Sequence, residues 1–226
     1  TYQGDVSVRK ALQMSLNVPA VRLLEAVGPT RMMVRFRRAE VRPALPPGET
    51  PGLAIGLGGL GITLRDLTQL YAALANRGMP VQLGDGITGD AAVINGDPLL
   101  DPVAVWQVSD VLSAVIPPAG SRRLGIAYKT GTSYGYRDAW SVGYDGRHVL
   151  GVWVGRADNG AVPGLTGYGA SAPILFEAFS RSGLAITPLP RAPSGAVRIA
   201  QSELPASLRR FSTTSNGLVP TAARQP

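Results

Sequence analysis

The sequence predicts an α+β layered domain, an antiparallel sheet with helices packed on it. Three observations carry this. Apolar residues fall at helical spacing up to about residue 116. From residue 124 the period becomes strand-like, with an Asp145-Gly146 turn between two of the strand candidates. The βαβ alternation that a parallel sheet requires is absent.

In chain order, residues 6–15 form a helix candidate with Ser7 as N-cap and Val8, Ala11 and Leu12 on one face. A second helix, 19–27, has Pro19 near its first turn and Gly28 at its end. A third, 29–40, carries Arg31, Arg35 and Arg38 on a face expected to be solvated. Residues 42–61 are a Pro/Gly-rich loop. Thr63 caps a helix running to Arg77, with Leu64, Leu67, Leu70, Tyr71 and Leu74 inward and Gly78 as its stop. Residues 79–100 suggest short strands and turns, and 101–116 a helix with Pro102 just inside its start. Strands are predicted at 124–129, 138–144 and 148–155, then a helix at 171–182. The expected domain spans 1–186. The Pro/Ser-rich 187–226 is expected to be a linker or tail leading out of it.

Composition narrows the chemistry. Apolar residues make up 45% and charged residues 16% of the 226, which is globular rather than disordered. With no cysteine, disulfides, cysteine nucleophiles and thiolate metal sites are excluded. A single histidine excludes multi-histidine metal sites and makes any Ser-His-Asp arrangement depend on His148, which is expected to be an exposed hairpin residue. The net charge of +7 is almost wholly arginine, Lys10 and Lys129 being the only lysines. No basic stripe interleaves with aromatics, so no nucleic-acid partner is expected. The longest uncharged run, 159–176, is broken by Gly, Pro, Ser and Thr and does not suit a membrane span. A chain opening on Thr1 in mid-pattern is expected to be a fragment or a processed piece.

Two short motifs carry chemistry. Lys129-Thr130-Gly131-Thr132-Ser133 lies at the end of one predicted strand and before the next. It combines a cation, alternating hydroxyls and a glycine that permits close backbone approach. On a strand, Lys129, Gly131 and Ser133 share one face and Thr130 and Thr132 the other. Such an edge suits a carboxylate and an oxyanion, although an ordinary turn has the same letters. Ser15-Leu16-Asn17 places a hydroxyl and an amide just past a helix, where both could face a cleft or simply end the helix. The S-x-N and K-T-G elements occur in the order used by serine acyl-transfer enzymes. Gly56-Leu57-Gly58-Gly59-Leu60-Gly61 fits a dinucleotide fingerprint in letters, but lacks the strand and the βαβ context. It is expected to be a tight loop near the cleft.

Here the chain resembles the later part of a penicillin-binding transpeptidase domain, closest to the bifunctional 1C type. Residues 4–21 are similar to the stretch around that family's second motif. Residues 62–78 resemble the helix after its Gly-rich loop, and 129–140 with 152–155 resemble the third motif and its hairpin. The resemblance covers about residues 1–211. It implies the serine β-lactamase-like α+β fold with its N-terminal part missing, no metal or organic cofactor, and location at the periplasmic face of the bacterial inner membrane. Implied partners are peptidoglycan stem peptides and β-lactams, with other cell-wall synthesis proteins possible. The membrane would be reached only through a missing N-terminal anchor.

The resemblance also implies roles. Ser15 joins a proton relay, Asn17 hydrogen-bonds the substrate backbone, and Lys129 supplies positive potential and tunes the relay. Thr130 and Thr132 hold a terminal carboxylate, with Gly131 and Ser133 completing the binding strand, and the Thr132 N–H is an oxyanion donor. The family's S-x-x-K nucleophile lies tens of residues before the second motif. Ser7-Val8-Arg9-Lys10 begins only eight positions before Ser15 and is expected to be a chance match. The nucleophile is therefore expected upstream and the isolated chain inactive, since losing it costs on the order of a millionfold. A D,D-carboxypeptidase or β-lactamase-like hydrolase, or a non-catalytic peptidoglycan-binding scaffold, are the alternatives.

Overall fold

The computed structural model describes residues 6–87, 89–197, 199, 201–205, 211–214 and 217–220. Gly4 and Asp5, which open the first matched stretch, and much of the tail to Pro226 lie outside the described residues.

The chain begins with three short helices, α1 (Val8–Gln13), α2 (Asn17–Val27) and α3 (Pro29–Arg38). Ser7 caps α1 as expected, its hydroxyl accepting from the Lys10 N–H at 3.2 Å. α2 starts two residues earlier than the Pro19 signal suggested, so Pro19 is its third residue. There its missing N–H costs nothing, because the first helical N–H groups have no intrahelical partner. The Gly-rich loop forms a 3-10 turn, Leu53–Leu57, followed by Gly58 and Gly59. A Cβ on Gly59 would stand 2.8 Å from the Ala54 carbonyl oxygen, so the tight fold-back excludes a side chain. Ile55 packs with Leu24 and Met33, tying this loop to α2 and α3. It follows no strand, so it is a packing element.

Next come α4 (Leu64–Ala75), a two-residue ladder of β1 (Val81–Gln82) with β2 (Ala92–Val93), and α5 (Pro102–Ser113). Thr63 and Asp101 cap the two helices through their side-chain oxygens. The main sheet is β3 (Ala127–Thr132), β4 (Asp138–Tyr144) and β5 (Val149–Gly155), antiparallel in that order. β3 sits three residues later than its apolar pattern suggested. Its partner β4 ends at Tyr144, opposite Ala127, so residues 124–126 have nothing to pair with. Pairing instead continues through Gly131 and Thr132, placing the whole Lys-Thr-Gly-Thr run inside the strand.

Alternation along β3 divides the core. Ile126 and Tyr128 face α6 (Ala172–Arg181), packing on Leu175, Phe176 and Phe179. Ala127 faces the other way, against Leu112 of α5 and Tyr144. Helices thus cover both faces of an antiparallel sheet, as the α+β reading expected. Past Thr187 the chain remains on the body for several residues: Leu189 packs beside Tyr144, and Pro190 and Pro193 line a pocket together with Trp106 of α5. Further on, β6 (Phe211–Thr214) pairs with β7 (Gly217–Pro220), a hairpin that the Pro/Ser-rich composition did not signal. Among the described residues no helix is long and apolar enough to cross a membrane.

Candidate active site

The two motifs meet. Lys129 and Ser15 are 114 residues apart, yet the Lys129 Nζ donates to the Ser15 hydroxyl oxygen. The packing order delivers this contact. α1 lies along α5, held by the Arg9–Asp110 ion pair and by Gln13 Nε2 donating to the Val111 carbonyl at 3.0 Å. α5 packs on β3. Lys129 shares strand parity with Ala127, so its side chain leaves β3 on the α5 side, where the end of α1 lies. Ser15 follows α1 with φ of +52°, in the left-handed region. That conformation costs a non-glycine residue about 1 kcal/mol and turns the chain sharply between the two helices.

Lys129 also donates to the Thr130 carbonyl at 2.7 Å. Among the described residues no carboxylate forms an ion pair with it. Burial is the cause that holds its pKa below the ordinary lysine value. An ammonium that is partly desolvated and lacks a counter-ion is ready to yield its proton and attracts an anionic ligand. Asn17, in the first turn of α2, is exposed, and its amide makes no hydrogen bond among the described residues. It stands two residues from Ser15, free to meet a ligand.

The remaining residues of the third motif have distinct settings. Thr130 and Gly131 are half-buried in the β3–β4 ladder, opposite Ser141 and Trp140. Thr132 is exposed, and its Oγ1 accepts from the Gly167 N–H at 3.0 Å. Ser133 is engaged in closing the hairpin: its Oγ accepts from the Asp138 N–H at 2.8 Å and its N–H donates to the Asp138 carbonyl. Trp140 and Trp153 lie side by side on β4 and β5 with ring centroids 6.2 Å apart, and Trp153 Nε1 donates to Asp138 Oδ1 at 2.8 Å.

Ser7 caps α1 at the end remote from Ser15, its hydroxyl turned to its own helix. His148 is not the exposed hairpin residue expected. Its Nδ1 lies 3.2 Å from Oδ2 of Asp145, a fully buried carboxylate that also accepts N–H bonds from Arg147, His148 and Thr187. Its partner at the tip of the β4–β5 hairpin makes it structural. The Gly167 turn escaped the sequence reading, because a glycine 35 positions from Thr132 leaves no periodic signal.

No family model matches the chain. Similarity to individual proteins is clear. It is 38% identical over 180 residues to penicillin-binding protein 1C of Escherichia coli (strain K12), covering 78% of this chain and 23% of that protein. It is 30% identical over 178 residues to penicillin-binding protein 1B of Vibrio cholerae, covering 70% of this chain and 22% of that protein. The chain therefore spans about a quarter of the length of these relatives. Its fold matches the penicillin-binding protein PonA1 of Mycobacterium tuberculosis with a TM-score of 0.63 at 22% identity, over 86% of this chain and 62% of that one. It matches penicillin-binding protein 1A of Haemophilus influenzae with a TM-score of 0.66 at 18% identity, over 85% and 37%. A transpeptidase domain of Burkholderia pseudomallei penicillin-binding protein 3 gives 0.53 at 19% identity, over 81% and 67%. The chain belongs to the penicillin-binding protein family and has the fold of that family's transpeptidase domain.

Proposed function

We propose that this chain forms one wall of a serine D-Ala-D-Ala transpeptidase site that cross-links stem peptides in peptidoglycan synthesis. Homology supports a penicillin-binding role in peptidoglycan synthesis. The observation that carries the finer reading is the Lys129–Ser15 contact, which joins two motifs distant in sequence into one proton-transfer pair.

The nucleophilic serine comes from preceding polypeptide. Its Oγ attacks the carbonyl carbon between the two terminal D-Ala residues. Its proton passes through Ser15 and Lys129 to the departing amine, and the C–N bond breaks, releasing D-Ala. The amine of a second stem then attacks the acyl-serine ester, the ester C–O bond breaks, and the serine regains a proton. Asn17 hydrogen-bonds the donor peptide backbone. Thr130 and Thr132 receive the terminal carboxylate, with Gly131 and Ser133 shaping the strand edge. The Thr132 N–H serves as one oxyanion donor, a group whose removal typically costs about 3 kcal/mol. A β-lactam acylates the same serine. The intact protein works at the periplasmic face of the inner membrane and also carries peptidoglycan glycosyltransferase activity, in company with other cell-wall synthesis proteins.

The test is labelled penicillin on the intact protein, with the adduct mapped by mass spectrometry. Label on a serine preceding this chain is the expected result. Label on Ser7, or a folded intact protein that takes no label, overturns the reading.

A further inference from the structure

The turn before α6 is built around one residue that reaches the candidate carboxylate-binding strand. Thr166 starts it: its Oγ1 accepts from the Gly169 N–H at 3.1 Å and its carbonyl from the Ala170 N–H at 2.9 Å. The buried Ser171 hydroxyl donates to the Gly167 carbonyl at 3.0 Å, and the Tyr168 hydroxyl donates to the Pro117 carbonyl at 3.0 Å. Held in this way, Gly167 lies directly on the β3–β4 ladder. A Cβ there would stand 2.4 Å from the Gly131 carbonyl oxygen, 2.6 Å from that of Trp140 and 2.9 Å from the Gly131 nitrogen. These are backbone atoms of paired strands and cannot yield, so only glycine fits.

The contact constrains a hydroxyl. A threonine hydroxyl has one donor hydrogen and two acceptor lone pairs. The Gly167 N–H occupies one lone pair of Thr132 Oγ1, so the hydroxyl hydrogen is turned away from the α6 side. Thr132 itself is exposed. We infer that Gly167 is a positioning residue for carboxylate recognition: it holds the Thr132 hydroxyl as a pre-aimed donor to the terminal carboxylate of the acyl donor. This rests on the transpeptidase reading and adds a residue outside all three motifs. The gain is preorganisation, because the donor spends no freedom when the carboxylate arrives.

The experiment compares the acylation rate of the intact protein by benzylpenicillin and by its methyl ester, which removes the carboxylate charge. Wild type is expected to prefer the carboxylate form. Gly167→Ala is expected to reduce that preference roughly 10- to 100-fold, the factor carried by a hydrogen bond to a charged group. Most of the loss falls on the carboxylate form. Ser171→Ala removes the hydroxyl that fixes the Gly167 carbonyl without adding bulk. It is expected to move the preference in the same direction by less, and serves if Gly167→Ala does not fold. A labelled wild type with folded Gly167→Ala or Ser171→Ala variants of unchanged preference overturns the inference alone. A wild type that no penicillin acylates overturns the transpeptidase reading, and this inference with it.

Discussion

The Thr187 N–H donates to Oδ2 of Asp145 at 2.8 Å, joining residues 42 positions apart around one buried carboxylate. The Gly146 N–H returns a bond to the Thr187 carbonyl at 2.9 Å. Asp145 thus closes the β4–β5 hairpin and fastens the chain that leaves α6.

Asp145 is expected to contribute to acid stability. Burial pushes its pKa up, but the N–H groups of Thr187, His148 and Arg147 and the His148 ring outweigh this and hold it below the ordinary 3.8. The folded state therefore binds the proton less readily than the unfolded chain. Its stabilisation is complete above about 3.8 and is lost as pH falls through the lower, folded value. Asp145→Asn should cost about 2–4 kcal/mol at neutral pH, since several charge-assisted bonds weaken together. It should also flatten the acid limb of a stability profile from urea melts between pH 2 and 6. A variant that melts like wild type would refute this role.

Lys129 sets a different pH dependence. Burial lowers its pKa below 10.5. Between that lowered value and 10.5 the unfolded chain holds more protons, so stability rises with pH across this window relative to Lys129→Met. Under the transpeptidase reading, the neutral amine that receives a proton becomes abundant at a pH lower than for a solvated lysine. The acylation rate should climb with pH with its midpoint below 10.5, and Lys129→Arg should abolish that climb. Stopped-flow acylation across pH 6–10 reads this directly.

The Lys129–Ser15 contact should act as a unit. Lys129→Met and Ser15→Ala are each expected to slow acylation by roughly 10²–10⁴-fold, the range for a positioned proton-transfer group. The double variant should be scarcely slower than the worse single one, because removing either member breaks the same relay. Multiplying effects would show that the two groups work separately.

Ser109 and Tyr144 test the core between α5 and the sheet. Their hydroxyl oxygens are 2.8 Å apart, and Ser109 Oγ also donates to the Val105 carbonyl at 2.8 Å. The Tyr144 hydroxyl is therefore the donor to Ser109 Oγ. Ser109→Ala strands a buried phenol and should cost about 1–3 kcal/mol, whereas Tyr144→Phe leaves Ser109 its carbonyl partner and should cost about 1 kcal/mol. Chemical denaturation of the two variants gives the order, and the reverse order would contradict the assignment of donor.

What could be foreseen divides along chain distance. Ser7 as a cap, the Asp145-Gly146 turn and the helices from Thr63 and Asp101 are local chemistry and were legible. Lys129-Thr130-Gly131-Thr132 was legible as a motif, but not its place inside β3, because strand limits are set by where the partner strand stops. Ser15 and Asn17 became candidates only by joining two weak signals through a family resemblance. Neither the partner of Asp145 at Thr187 nor that of Thr132 at Gly167 has a pattern to follow, since loops determine such contacts by tertiary packing alone. The half-buried setting of His148 beside Asp145 was missed for the same reason: a turn motif says how the chain reverses, not what covers it.

Contacts remote from Lys129 and Ser15 help to bring the two together. Ser15 follows the end of α1, which the Arg9–Asp110 pair and the Gln13–Val111 bond tie to α5. An exposed ion pair of this kind adds little stability. Its bearing is positional: Arg9 and Gln13 both come from α1 and both reach α5, so the helix leading into Ser15 is anchored to the helix that packs on the strand of Lys129. The path that joins the two motifs therefore runs from α1 through α5 to β3, and one of its links, the Arg9–Asp110 pair, lies at the surface.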